Sequence, residues 1–143
     1  MKLIIAATDG SQVAERAVAI AADLVKTINA KLLIVNVSED KLSTAQIRLI
    51  DRLRISEGDA LEEISGRILS RAKSIAQKHG AANIETMIGS GHPAKVLLKI
   101  ANTRHAYAIV VGRRGAGPFK ELLLGSVSQK LASLAPCIVI VAP

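Results

Sequence analysis

Between Val110 and Ser128 the chain reads Val-Val-Gly-Arg-Arg-Gly-Ala-Gly-Pro-Phe-Lys-Glu-Leu-Leu-Leu-Gly-Ser-Val-Ser. Three of its glycines, Gly112, Gly115 and Gly125, let the main chain come close to a ligand and take angles that a Cβ would forbid. Gly125-Ser126 falls where an apolar-periodic segment, Val127 to Leu134, begins a helix. The first amides of a helix have no partner within it, and the helix dipole favours an anion there. Arg113 and Arg114 place two permanent positive charges beside that point. The chemistry this stretch suits is the holding of phosphate groups. Ser126 and Ser128 have no base evident in the sequence, which argues against nucleophilic catalysis.

Other reactive side chains are sparse. Asp9, at the end of the first apolar run, can meet Mg²⁺ through phosphate oxygens or cap the helix that follows. His79 falls at a helix end, His105 beside a strand start, and His92 before Pro93, where it can cap a helix. With the lone Cys137 in an apolar strand, none of these has the spacing of a triad or a metal cluster. Gly89-Ser90-Gly91-His92-Pro93-Ala94 matches the dinucleotide fingerprint G-x-G-x-x-A. It does not lie in the first strand–helix unit, however, and no acidic residue follows about twenty positions on, so it reads as a decoy. The P-loop pattern G-x-x-x-x-G-K-[ST] is absent from the sequence.

The elements that must position these residues follow from periodicity. Lys2 to Ala7 reads as a buried strand, followed by the turn Thr8-Asp9-Gly10-Ser11, with Asp9 or Ser11 as helix cap. Val13, Ala17, Ile20, Ala21, Leu24 and Ile28 recur at helical spacing, and Leu32 to Val37 is a second strand. Ser43 to Leu53 has partial helical spacing, broken by Ser56-Glu57-Gly58; the Ser43–Arg54 segment is either a lid or a solvated helix. Ala60 to His79 is a clearer helix, stopped by Gly80. Asn83 to Ile88 alternates like an edge strand, and Pro93 opens a helix over Ala94 to Thr103. Tyr107 to Val111, Gly125 to Leu134 and Cys137 to Val141 complete the pattern as strand, helix and strand.

Five strands alternating with helices predict one α/β domain over residues 1–143, a doubly wound five-stranded parallel sheet with helices on both faces. Ligands in such sheets sit beyond the carboxyl ends of the strands, where the strand order reverses. With the order 3-2-1-4-5, the reversal falls between the strands ending at Asp9 and at Gly112.

Composition bounds the rest. A chain of 143 residues buries roughly 68–70% of its unfolded surface. Half of it is apolar, yet Tyr107 and Phe119 are the only aromatics, so the core is aliphatic. One cysteine excludes an internal disulfide. No apolar run reaches membrane-spanning length, and the short run at Lys2 to Ala7, interrupted by Asp9, is too brief for a signal peptide. The expectation is a soluble, cytoplasmic protein. The net charge of +7 is scattered and lacks aromatics for base stacking, which favours a solvated basic surface over nucleic-acid binding.

Gly112-x2-Gly115-x9-Gly125-Ser126 resembles the adenine-nucleotide-binding signature of the universal stress protein family. The opening strand ending in Asp9-Gly10-Ser11, the Gly91-His92-Pro93-Ala94 turn and the last strand after Ala135-Pro136-Cys137 resemble the same family, over essentially the whole chain. The resemblance implies a flavodoxin-like fold of the adenine nucleotide alpha hydrolase-like type and a homodimer formed through the last strand, Cys137 to Val141. It implies ATP as ligand, with Mg a further component. Ala7, Thr8, Asp9 and Val37 would border ribose and adenine, and Val111 and Gly112 the base and ribose. Arg113, Gly115, Gly125, Ser126 and Val127 would surround the phosphates, with Ser128 a further candidate. Members that lack the motif are taken not to bind ATP; this chain keeps it.

Two positions depart from the family pattern: Tyr107 stands where an Asp is usual, and Cys137-Ile138 follow Pro136 where a second proline is common. The resulting expectation is a dimeric, ATP-binding stress-response switch with an unidentified protein partner, at most a slow ATPase. Two alternatives stand beside it: an Asp9/Mg-dependent nucleotide hydrolase or transferase, and a dimeric interaction module that binds no nucleotide.

Overall fold

The computed structural model describes residues 1–38, 44–54, 56–113 and 124–143. In chain order the elements are β1 (Leu3–Ala7), α1 (Gln12–Ile28), β2 (Lys31–Ser38), α2 (Thr44–Leu53) and α3 (Glu57–Lys78). There follow β3 (Ile84–Ser90), α4 (Pro93–Thr103), β4 (Ala108–Gly112), α5 (Ser126–Leu134) and β5 (Ile138–Ala142). The strands form one sheet in the order β3-β2-β1-β4-β5, all pairings parallel. The expected order 3-2-1-4-5 is therefore the observed one.

Side-chain alternation along the strands assigns the two layers. Ile4, Ala6, Leu32, Ile34, Ala108 and Val110 pack toward α1 and α3. Leu3, Ile5, Leu33, Val35, Ile109 and Val111 pack toward α4 and α5, through Leu97, Ala101 and Leu131. β1, β2 and β4 are covered on both sides, which is why their sequences are continuous apolar runs. Each fully buried Ile or Leu contributes on the order of 2 kcal/mol by leaving water. β3 and β5 are edges, and they show it: β3 alternates between covered and exposed residues, and Ile138 of β5 is 49% exposed.

Alanine sets the closeness of α1. Ala14, Ala17, Ala21 and Ala22 line its buried stripe, so its backbone comes near the sheet. At the carboxyl end of β4 the approach is tightest: a Cβ on Gly112 would lie 2.6 Å from Val13 Cγ1 and 3.1 Å from the Val13 carbonyl carbon. Gly112 is thus required for packing α1 onto β4, whatever else it does. Ser11 caps α1, its Oγ accepting the Ala14 amide at 3.2 Å, and Asn29 ends it in the left-handed conformation (φ 54°).

The structure changes the expected elements at three places. The break after α2 comes at Arg54, which is left-handed (φ 52°), and Ser56 is not part of a breaker. Its Oγ accepts the Asp59 amide at 3.1 Å, so α3 starts at Glu57, three residues before the expected Ala60. Glu57 and Asp59 suit that first turn because they face the positive end of the helix dipole. Two helices link β2 to β3, the first of them within the segment read as a lid or a solvated helix. Third, β3 runs on to Ser90, because Val37 and Ser38 of β2 offer partners to Gly89 and Ser90.

At the amino end of the sheet, Glu85 accepts from both guanidinium nitrogens of Arg104 at 3.1 Å and lies 2.8 Å from Lys31 Nζ. These two cations hold the Glu85 carboxyl down to about 2. Tyr107, where the family pattern leads one to expect Asp, lies just before β4 with Lys2 Nζ 4.2 Å from its ring centroid. It stands at the opposite end of β4 from Gly112.

Candidate functional site

The chain leaves β1 toward α1 on one face of the sheet and leaves β4 toward α5 on the other. β1 and β4 are neighbours, so a crevice opens between their carboxyl ends, as expected from the strand order. Ala7, Thr8 and Asp9 lie at one lip, Gly112 and Arg113 at the other, and the N-terminus of α5 below.

The β1 lip is fixed by its own polar groups. Thr8 is buried: its N–H donates to Val35 O at 2.9 Å, and its Oγ1 accepts the Gly10 amide at 3.1 Å. Its carbonyl accepts from the buried Asn36 Nδ2 at 2.8 Å. The Asp9 Oδ1 accepts the Ser11 amide at 2.9 Å, so Asp9 closes a local turn and Ser11 provides the helix cap. Gly10 needs its glycine: φ is +85°, and a Cβ would lie 3.2 Å from Ile68 Cγ1. Asn36 went unnoticed in the sequence. A single polar residue inside the apolar run Leu32 to Val37 was the available signal, since a buried amide must find a partner.

An apolar wall stands beside this lip. Ala7, Val37 and Val111 all belong to the α4/α5 layer of the sheet. The register pairs Ala6 with Val110 and Ala7 with Val35, so the wall spans β2, β1 and β4 in sequence. Val37 extends beyond the last residue of β1, where the crevice begins.

The second lip is tied to α5 through one carbonyl. Arg113 N–H donates to Ala142 O at 2.7 Å, while Arg113 O accepts the Gly125 amide at 2.7 Å and the Ser128 hydroxyl at 2.9 Å. Ser128 Oγ also lies 3.1 Å from Gly125 O and is 2% exposed. Ser126, one residue into the helix, is exposed, and Val127 is half-buried against the α4/α5 layer.

Gly125 is the N-cap of α5, and among the described residues no side chain caps that helix, in contrast to α1 and α3. Its angles (φ −76°, ψ 170°) are open to any residue, so its backbone conformation does not explain the glycine. Arg113 Nε is buried with no hydrogen-bond partner among the described residues. Among the described residues, then, the guanidinium nitrogen and the first amides of α5 are donors without a side-chain partner, and both are suited to an anion. Gly115 and Arg114 lie outside the described residues.

The remaining reactive groups stay apart from the crevice. Among the described residues no three His, Cys, Asp or Glu side chains gather as a metal site. His79 ends α3 with Nδ1 3.0 Å from Asp23 Oδ1, and His92 is the N-cap of α4 without a side-chain bond to it. Burial pushes the Cys137 thiol above its ordinary value, which disfavours the reactive thiolate. A shallow groove of about 400 Å³ lined by Gln12, Glu15, Arg16, Ala19 and Ile75 lies between α1 and α3, on the other face of the sheet from the apolar wall. No helix among the described residues is long and apolar enough to cross a membrane.

A family model described as the universal stress protein family matches residues 1–143. The universal stress protein YxiE of Bacillus subtilis is 31% identical over 147 residues, covering 96% of each chain. Among solved structures, a universal stress protein in complex with cAMP superposes with a TM-score of 0.78 at 26% identity, covering 99% of this chain and 97% of its own. The universal stress protein UspA from Lactobacillus plantarum shares the fold with a TM-score of 0.81 at 23% identity, covering 99% and 97%.

Proposed function

The chain belongs to the universal stress protein family, and from that premise we propose that it binds an adenine nucleotide in the crevice between β1 and β4. The observation that carries the reading is the start of α5, without a side-chain cap among the described residues, bonded to the main chain of Arg113, whose buried Nε has no partner among them. Phosphate oxygens satisfy both, and the helix dipole adds to the attraction. The wall of Ala7, Val37 and Val111 accepts the base, and Asp9 is placed for the ribose hydroxyls. A structural neighbour at 26% identity is described in complex with cAMP, which shares the adenosine and the phosphate.

ATP is the ligand we assign, in line with the glycine spacing, with Mg²⁺ reaching Asp9 through the phosphates. The site is built for holding: the described residues present no general base beside the phosphate end. Occupancy then acts as a signal, in the cytoplasm, read by a protein partner through a homodimer formed at the β5 edge. Ile138, 49% exposed, gives that edge an apolar residue for a partner to cover.

The test is to purify the protein without added nucleotide, denature it, and identify what is released by chromatography and mass. The emptied protein is then titrated with ATP, ADP and AMP beside Gly125→Val, whose side chain fits the backbone angles but fills the phosphate end. Co-purified nucleotide, or binding that Gly125→Val abolishes, supports the proposal. A protein that ignores all three nucleotides leaves a dimeric interaction module as the better reading.

A further inference from the structure

Ser128 stands out among the serines at the crevice because its hydroxyl is turned away from the opening. It is 2% exposed, whereas Ser126 is exposed. Its Oγ donates toward Arg113 O at 2.9 Å and Gly125 O at 3.1 Å, and a hydroxyl has one proton to give. Arg113 O receives the Gly125 amide as well, at 2.7 Å, so both lone pairs of this carbonyl are engaged by the start of α5. On its other side the Arg113 amide is bonded to Ala142 O in β5. One residue, through its N–H on one side and its C=O on the other, therefore joins the end of β4, the edge strand and the first turn of α5.

Resting on the nucleotide-binding reading above, we propose that Ser128 is a positioning residue and not a phosphate ligand. Its bond to the Arg113 carbonyl fixes the height and tilt of the α5 N-terminus, so that the Ser126 and Val127 amides face the crevice. The same bond holds the Arg113 main chain, from which the buried Nε extends. The hydroxyl thus acts on the phosphates through two other residues. Its effect follows the phosphate and not the base, because Ala7 and Val37 lie on β1 and β2, which the clasp does not touch.

The experiment compares wild type, Ser128→Ala, Ser128→Thr and Ser126→Ala by calorimetric titration with ATP, ADP and adenosine, and by amide hydrogen exchange in the nucleotide-free protein. Ser128→Ala is expected to weaken ATP and ADP about tenfold, the worth of one hydrogen bond near the upper end of its range. Adenosine affinity stays unchanged, and Ser128→Thr, which keeps the hydroxyl, restores ATP binding. Without any nucleotide, Gly125 amide exchange speeds up in Ser128→Ala and not in Ser126→Ala. Unchanged Gly125 exchange overturns the proposal, even where ATP binding falls, because Ser128 would then touch the phosphate directly. Equal losses for adenosine and ATP overturn it too, as the mark of general disruption. A wild type that binds none of the three ligands refutes the nucleotide reading instead, and the exchange comparison still decides whether the clasp exists.

Discussion

Replacing Gly112 by Ala tests whether α1 and β4 are packed as closely as the structure has them. The backbone there is not left-handed, so alanine meets no conformational penalty and the whole effect is steric. The new Cβ would lie 2.6 Å from Val13 Cγ1, a contact that a rotamer change can relieve. It would also lie 3.1 Å from the Val13 carbonyl carbon and 3.2 Å from its oxygen, and these belong to the α1 backbone. Relief therefore means moving α1 by a few tenths of an ångström, against Ala14, Ala17 and Val18, which are already in contact with the sheet. Overpacking of this kind costs about 1–3 kcal/mol, and the backbone contacts put Gly112→Ala near 2 kcal/mol. For a chain of this size the melting temperature falls by about 6 °C. Urea unfolding followed by circular dichroism measures the loss, with an unchanged m-value showing that two-state behaviour holds. Gly89→Ala is the comparison: its Cβ would meet only side chains, Val96 Cγ1 at 2.8 Å and Val37 Cγ2 at 3.4 Å, and should cost less. A Gly112→Ala protein within about 0.5 kcal/mol of wild type would refute the close-approach argument, since surface-like substitutions fall in that range.

Gly66, inside α3 with nothing within 4 Å of where a Cβ would stand, is the opposite case. Gly66→Ala should stabilise by about 0.5–1 kcal/mol in the same urea assay. Glu85, held down to about 2 by Arg104 and Lys31, contributes stability that is present above its unfolded value and lost as pH falls from about 5 toward 2. Its side chain is 38% exposed, so solvent screening limits the effect to about 1 kcal/mol. The gap between wild type and Glu85→Gln in acid titrations of stability should close toward pH 2 and shrink at high salt. Ile138→Lys on the exposed β5 edge should shift a dimer to monomer in sedimentation velocity without unfolding the chain, and a wild type already monomeric would remove the dimer from the proposal.

The sheet was legible because apolar runs such as Ile4-Ile5-Ala6 and Leu32 to Val35 can be covered only in the middle of a parallel sheet. The crevice followed from the strand order, and the glycine spacing singled out Gly112 and Gly125, which the structure places at the end of β4 and the start of α5. Three things were not legible. Ser56 is a cap only because the chain turns left-handed at Arg54, a conformation that arginine does not advertise. Asn36 gains its role from Thr8, 28 residues away, so local patterning could not assign it. Ser126 and Ser128 are close neighbours in sequence, and only the structure separates the exposed hydroxyl from the buried one bonded to Arg113 O. Gly112 was read from its place in the motif, yet its tightest demand comes from Val13, on a helix 99 positions earlier in the chain.

The tie between Arg113 and Gly125 also makes the start of α5 depend on the edge of the sheet. Arg113 N–H is bonded to Ala142 O of β5, and Arg113 O accepts the Gly125 amide, both at 2.7 Å. A displacement of β5 at Ala142 is therefore passed to the start of α5 through a single residue. Edge strand and helix start are in this sense one mechanical unit, and what seats itself against the first is coupled to the second.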